Sequence, residues 1–373
     1  VTEFRHTIPI IPFIAPKDLA LLLLGLVSLA AYVTIQAFSS RAGTQTTDVA
    51  RNASAMMERA TAAVREDFVS HGGHFNDAID PNHTGLIGEE YSDITSTVGS
   101  LEAKRTTTNP NAAAMLVQLL QEAGVAAGDT IAVGCSGSFP ALAIATVSAA
   151  KSFGVHPVLI LSIGASSFGA TRPDQTLLDL YEALRQTSDL KVPVAAVSLG
   201  GAKDVGSDFE PDVREKLIEK IRHSGIPFLY ESDLRKNVAQ RMQIYFGTSS
   251  KRRIAAFVNI GGSYADLGTN PLILKVEPGV NKEMTIPADE TTHGVVFAMA
   301  KQHIPVIHLL HIKELALRYG LPWDPIPLPI ISSRSLQSGS GALRTTWAVT
   351  GAYFVSVILI VVYYRKVFFR KYS

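Results

Sequence analysis

From Asn109 onward, apolar and polar positions alternate in blocks. Short runs are apolar along their whole length: TIAVG from Thr130, PVLILSIG from Pro157, VPVAAVSLGG from Val192, IPFLYES from Ile226, RIAAFVNIGG from Arg253 and IPVIHLL from Ile304. Between them lie segments with helix-like spacing, such as PDVREKLIEKIRHSG from Pro211. Runs apolar on both faces belong in a parallel sheet covered on both sides, and strand–helix alternation is how such a sheet is wound. Helix punctuation agrees. Asn109-Pro110 is a cap followed by a proline start, Gly124 a stop, Pro140 a start with Gly154 beyond its end, and Gly225 closes the helix from Pro211. The pattern predicts an α/β domain over 109–330, an open Rossmann-like, mostly parallel sheet of about six strands.

Upstream, Ala50, Ala53, Met57, Ala60 and Val64 recur every three or four residues and predict an amphipathic helix over Thr47–Val69. With the turn-rich stretch His71–Thr84, it makes 39–108 a helical stalk and polar loop region, the helix either continuing as a stalk or docking on the domain. His71, His74 and His83 match no strong ligand spacing, so no metal is expected.

Two runs carry no charge, Leu19–Phe38 and Trp347–Tyr364. A membrane span needs about 20 apolar residues, with about 17 as the low end. Both runs are therefore expected as transmembrane helices, with the lipid bilayer as a partner. Arg365, Lys366, Arg370 and Lys371 follow the second run. The positive-inside bias then puts the tail 365–373 in the cytoplasm, the segment 1–18 with it, and the middle of the chain outside, joined to the second span by a linker over 331–346. The expected location is a cell membrane crossed twice.

Composition narrows the chemistry. The 373 residues carry a net charge of +1, which gives no global pull toward nucleic acid. Cys135 is the single cysteine, so no disulfide forms within the chain. Neither a Walker loop nor a dinucleotide fingerprint occurs, and no cofactor is expected.

Ligands of open α/β sheets bind where the strands end, so the loops after the strands are the candidate site. They read GCSGSF from Gly134, GASSFGATRPD from Gly164, GGAKDVGSD from Gly200 and GGSYADLG from Gly261. Glycines admit close backbone approach, and Ser hydroxyls with backbone N–H groups suit a carboxylate or phosphate. This selects Gly134, Gly137 and Ser138, then Ser166, Ser167 and Arg172, then Gly261, Gly262, Ser263 and Asp266 as binding residues. Lys104, Arg105 and Thr106 add a cation pair beside a row of hydroxyls. Ser136 stands in strand–turn–helix context like a nucleophile elbow, although Ser138 replaces that motif's last glycine. Asp266 and His293 follow as an acid and a histidine.

The combination TGLIGEEYSDITSTVGSLEAKRTTTNPNAAA, AVGCSGSFPAL, SIGASSFGATRPD and NIGGSYADLG, framed by the two uncharged runs, resembles the poly-γ-glutamate system proteins of bacteria. The resemblance covers most of the chain. It implies a pathway rather than a reaction: an accessory component of biosynthesis or export of a capsule-type anionic polymer, working with membrane subunits of a synthase. Three readings follow: a protein that binds poly-γ-glutamate or its chain end through the loops, an amide hydrolase or transpeptidase with Ser136 as nucleophile, and a non-catalytic membrane scaffold.

Overall fold

The computed structural model describes residues 16–186, 190–248, 253–329 and 341–371. Residues 1–15 of the expected N-terminal segment and 331–340 of the expected linker lie outside them. The elements are α1 (Pro16–Ser70), β1 (Thr95–Thr97), α2 (Leu101–Thr107), α3 (Asn111–Glu122), β2 (Thr130–Ser136), α4 (Pro140–Phe153), β3 (His156–Ser162), β4 (Ala165–Ser166), α5 (Leu177–Gln186) and β5 (Val194–Ser198). They continue with α6 (Pro211–His223), β6 (Phe228–Leu229), α7 (Leu234–Thr248), β7 (Ile254–Ile260), α8 (Tyr264–Leu267), β8 (Gly279–Asn281), α9 (Val295–Lys301), β9 (Val306–Leu309), α10 (Ile312–Tyr319) and α11 (Gly341–Lys371).

Two compact units form, one from the described residues up to Thr46 and from Gly341, the other from those between 47 and 329. In the first unit, Ser28 Oγ lies 3.2 Å from Tyr353 OH. A Cβ at Gly25 or Gly351 would meet nothing within 4 Å.

The expected membrane spans require correction. Among the described residues, no helix is long and apolar enough to cross a membrane. Leu19–Phe38 includes Gly25, Ser28, Tyr32, Thr34 and Gln36 and is one stretch of the 55-residue α1, which continues through Arg41, Asp48 and Arg51. Trp347–Tyr364 includes Thr350, Gly351, Tyr353 and Ser356 inside α11, which also holds Arg344, Arg365 and Lys366. The two-span cell-membrane location, with cytoplasmic termini and an outside domain, falls with them.

The second unit is the α/β domain. Its main sheet has seven strands in the order β6-β5-β3-β2-β7-β9-β8, parallel throughout except for β8, which runs antiparallel to β9. The expected parallel architecture is present, with one strand more than the pattern shows. β8 is three residues long, too short to carry a readable alternation. A second, two-stranded sheet pairs β1 with β4, which also left no run of apolar residues.

From β2 the chain steps outward through β3, β5 and β6 under α4, α5 and α6, then α7 returns it on the opposite face to β7, beside β2. Crossovers of one hand force helices to change face when the direction reverses. One face packs Val133, Cys135 and Val258 against α3 to α6, α10 and the Ala50–Val64 stretch of α1. The other packs Ala132, Phe257 and Val306 against α7 and α9. Ala50, Ala53, Met57, Ala60 and Val64 are fully buried, so the amphipathic helix docks on the domain along its apolar stripe. Asn109 accepts a hydrogen bond from the Asn111 N–H (3.0 Å) and starts α3 as its residue type favours.

Candidate functional site

The strand order reverses between β2 and β7, and a crevice opens at such a switch point. All four glycine-rich loops meet there. The Gly137 N–H donates to Ser162 O (2.9 Å) and Gly164 O (3.1 Å), tying the β2 loop to the β3 loop. The Gly164 N–H donates to Leu199 O (2.8 Å), which joins the β5 loop. Gly261, at the end of β7, lies so close to Ser136 that a Cβ there would overlap its Oγ.

On one side of this junction lies Lys104. It is buried, and α2 aims its side chain at the loops rather than at solvent. Its Nζ sits 2.7 Å from Ser166 Oγ and also bonds the Ser138 carbonyl. The Phe139 ring covers it at 3.7 Å from the centroid. Burial lowers Lys104 to about 7, because an ammonium loses its hydration there and no carboxylate among the described residues compensates it. Ser138 Oγ accepts from the Ser166 N–H (3.0 Å), which fixes the backbone under the hydroxyl. The segment leading into α2 closes over both groups, since a Cβ at Gly99 would lie 3.1 Å from Ser166 Oγ and 3.2 Å from Lys104 Cε. A lysine amine of lowered basicity in contact with a serine hydroxyl has the geometry that a base–nucleophile pair requires.

The other expected cations are occupied. Arg105 forms a two-point ion pair with Asp324, Nε to Oδ1 at 2.6 Å and Nη2 to Oδ2 at 2.7 Å. Thr106 is buried, and its Oγ1 accepts from the Asp324 N–H (2.8 Å). Arg172 stacks on Phe68 at 4.6 Å and donates to Gln175 Oε1 at 3.2 Å. Ser167 is buried, its N–H donating to Thr97 O at 2.9 Å, and Gly262 alone among the β7-loop residues Gly261–Ser263 is exposed. Ser136 Oγ points to Ile260 O at 3.4 Å and meets neither Lys104 nor a histidine. His293 is held by Pro287 O at 2.9 Å.

On the other face of the sheet, under α7, the strand ends turn polar together. Ser162, Ser198, Asn259 and His308 are all buried there, with Arg241 of α7 fully buried between two carboxylates. Arg241 Nη2 donates to Asp204 Oδ2 (2.8 Å), Ser198 Oγ (2.9 Å) and Ser162 Oγ (3.1 Å), and Nε to Asn237 Oδ1 (3.0 Å). Asp266 is an ion-pair neighbour, 3.5 Å from Nη1, but neither of those two atoms completes a hydrogen bond. Desolvation raises Asp266, against the pull of Arg241 and the Ser263 hydroxyl, which donates to Asp266 Oδ2 at 2.7 Å. Gly134 makes room for this carboxylate, because a Cβ there would fall 2.6 Å from Asp266 Oδ2. Asp204 itself has φ 62, in the left-handed region that costs a side chain energy, and the network holds it there.

Sequence reading reached Lys104, Ser138, Ser166, Gly134 and Asp266 but not Arg241, Asp204, Ser162, Ser198 or Asn259. Arg241 lies in a helix with other charged residues, and only burial distinguishes it. Among the described residues no cluster of His, Cys, Asp or Glu is arranged to hold a metal. A cavity of about 30 Å³ lies away from this chemistry, between α4 and α5, lined by apolar residues such as Ile144, Leu161 and Leu180 with Tyr181. Its composition offers packing space, and the site is better defined by the Lys104–Ser166 geometry. Comparison with family models, with curated proteins and with solved structures finds no match for this chain.

Proposed function

We propose that this chain is a serine–lysine acyl-transfer enzyme that cleaves an amide, with Ser166 as nucleophile and Lys104 as general base. The observation that carries this reading is the 2.7 Å contact between Lys104 Nζ and Ser166 Oγ in a buried setting. The amine's pKa of about 7 matches what a base needs at neutral pH. As Ser166 Oγ bonds the amide carbonyl carbon, the neutral Lys104 amine takes the hydroxyl proton. The intermediate collapses, the C–N bond breaks, and the leaving amine takes that proton from the Lys104 ammonium. Water then attacks the acyl-serine ester with Lys104 again as base, releasing the acid and restoring Ser166. An amine in place of water gives transpeptidation. Such base catalysis contributes about 10²–10⁴ in rate.

The substrate we propose is the γ-amide backbone of poly-γ-glutamate, from the resemblance of the Ser166 and Lys104 segments to that system's proteins. The alternative, a handling subunit that grips the polyanion by its cations, has less support: Lys104 faces inward, Arg105 is held by Asp324, and Arg172 lies on Phe68.

The test uses the full chain with poly-γ-glutamate, following new amino groups, and a fluorophosphonate probe with peptide mapping. Release of amines that disappears in Ser166→Ala and persists in Ser136→Ala is the expected result. Full turnover in Ser166→Ala would overturn the nucleophile. Probe labelling of Ser166 without polymer cleavage would keep the nucleophile and overturn the polymer as substrate.

A further inference from the structure

Among the described residues Lys104 has no charged partner, yet its amine is held in one place. Three groups surround Nζ: the Ser138 carbonyl, the Ser166 hydroxyl at 2.7 Å and the face of Phe139 at 3.7 Å from the centroid. As an ammonium, Nζ carries three hydrogens, one for each of these acceptors. As a neutral amine it carries two hydrogens and a lone pair. If the carbonyl and the ring keep the two hydrogens, the lone pair has one direction left, toward Ser166.

We propose that Phe139 is a positioning residue for the proposed reaction: its ring face and the Ser138 carbonyl hold two bonds of the Lys104 amine, and so aim the third position at the Ser166 hydroxyl. The inference rests on the serine–lysine reading. Phe139 is suited to this in three ways. It is the residue immediately before α4, so its backbone is fixed by the helix start. It is nearly buried, so it also keeps water off the amine. It shares the β2–α4 loop with Ser138, which grips Ser166 through the hydroxyl and Lys104 through the carbonyl.

The electrostatics around Lys104 leave this role to Phe139. On its own helix, Glu102 is exposed and accepts from Ser100, and Arg105 is paired with Asp324. From α10, Glu314 pairs with Arg318, and Lys313 lies over Trp323. The α4 start and β4 contribute Phe139, the Ser138 carbonyl and the Ser166 hydroxyl, none of them charged. Burial is the cause that lowers the amine to about 7, and the Phe139 ring lies directly against the amine. The ring has two opposed electrostatic effects. Excluding water disfavours the ammonium, while the ring's negative face favours it.

Two substitutions separate these effects. Phe139→Ala lets water in, and Phe139→Leu keeps the wall but removes the ring face. The measurement is the rate of fluorophosphonate labelling at Ser166 in the full chain from pH 5.5 to 10, with melting curves as a check on folding. In the unsubstituted chain the rate is expected to rise with a midpoint near pH 7. Phe139→Ala moves the midpoint up by at least about one pH unit, as exposure restores the amine toward its ordinary basicity. Phe139→Leu leaves the midpoint at or below that of the unsubstituted chain and lowers the plateau at least three-fold, because the lone pair is no longer aimed. A structural role alone would change melting without moving the midpoint in opposite senses. Midpoint and plateau unchanged in folded Phe139→Leu would overturn the positioning role, whatever Phe139→Ala does. No labelling of Ser166 in the unsubstituted chain at any pH would overturn the serine–lysine pair itself.

Discussion

Lys104 Nζ reaches Ser166 Oγ at 2.7 Å across 62 residues of chain. Neither residue lies on the main sheet. Lys104 comes from the short helix α2 and Ser166 from β4, and the parallel pairing of Thr97 with Ser166 brings the two segments together. The β1–β4 pair is therefore the element that assembles the proposed site. The glycines after β2 and β3 allow the loops beneath it to pack backbone on backbone.

The buried lysine makes stability depend on pH in a defined direction. Lys104 falls from 10.5 to about 7 on folding, so between these values the unfolded chain holds a proton that the folded chain does not. Stability then rises with pH above about 7, with a slope approaching about 1.4 kcal/mol per pH unit from this group. Cys135 opposes it higher up, because burial raises the thiol and the unfolded chain alone ionises above about its ordinary 9.0. Urea titrations between pH 7 and 8.5 are expected to show the rise, and Lys104→Met to remove it. An equal slope in the variant would sink the assignment.

His308 acts in the same direction at lower pH. Burial lowers it from 6.5 to about 4, so the folded chain keeps the ring neutral where the unfolded chain charges it. Its Nδ1 faces the Asn259 amide nitrogen at 3.1 Å, a contact in which the neutral ring is the acceptor. The stability contribution is complete above pH 6.5 and is lost as pH falls toward 4, amounting to on the order of 3 kcal/mol. A His308→Gln variant should flatten the stability profile between pH 6.5 and 5. The same fall in the variant as in the unsubstituted chain would count against His308 as its source.

Arg241 sits fully buried between Asp204 and Asp266. Removing one partner of a buried ion pair leaves the other uncompensated, at a cost of about 3–5 kcal/mol. Arg241→Met is expected to destabilise by that order. Asp204→Asn in the same chain should recover at least about 1 kcal/mol, since the stranded carboxylate is gone. A double-mutant cycle by denaturant unfolding measures this, and strictly additive effects would refute a coupled pair.

The sheet was legible because its signal is local. A strand covered on both faces must be apolar throughout, and proline and glycine mark the helix ends between strands. The same locality misled at the two uncharged runs. There, freedom from charge suggested spans that α1 and α11 do not provide among the described residues. Gly134 was readable as a close-approach position, but its occupant, the Asp266 carboxylate, was not.

By itself, then, the sequence determined the wound α/β architecture and the apolar stripe from Ala50 to Val64. These follow from periodicity and turn preference, which act over a few residues. The tertiary structure alone decided which side chains meet. It turned Lys104 inward onto Ser166, gave Arg105 to Asp324, and sealed Arg241 under the sheet's edge. Burial and partner choice are properties of contacts between distant segments. A lysine in a polar stretch carries no local mark of the low-dielectric site that changes its basicity.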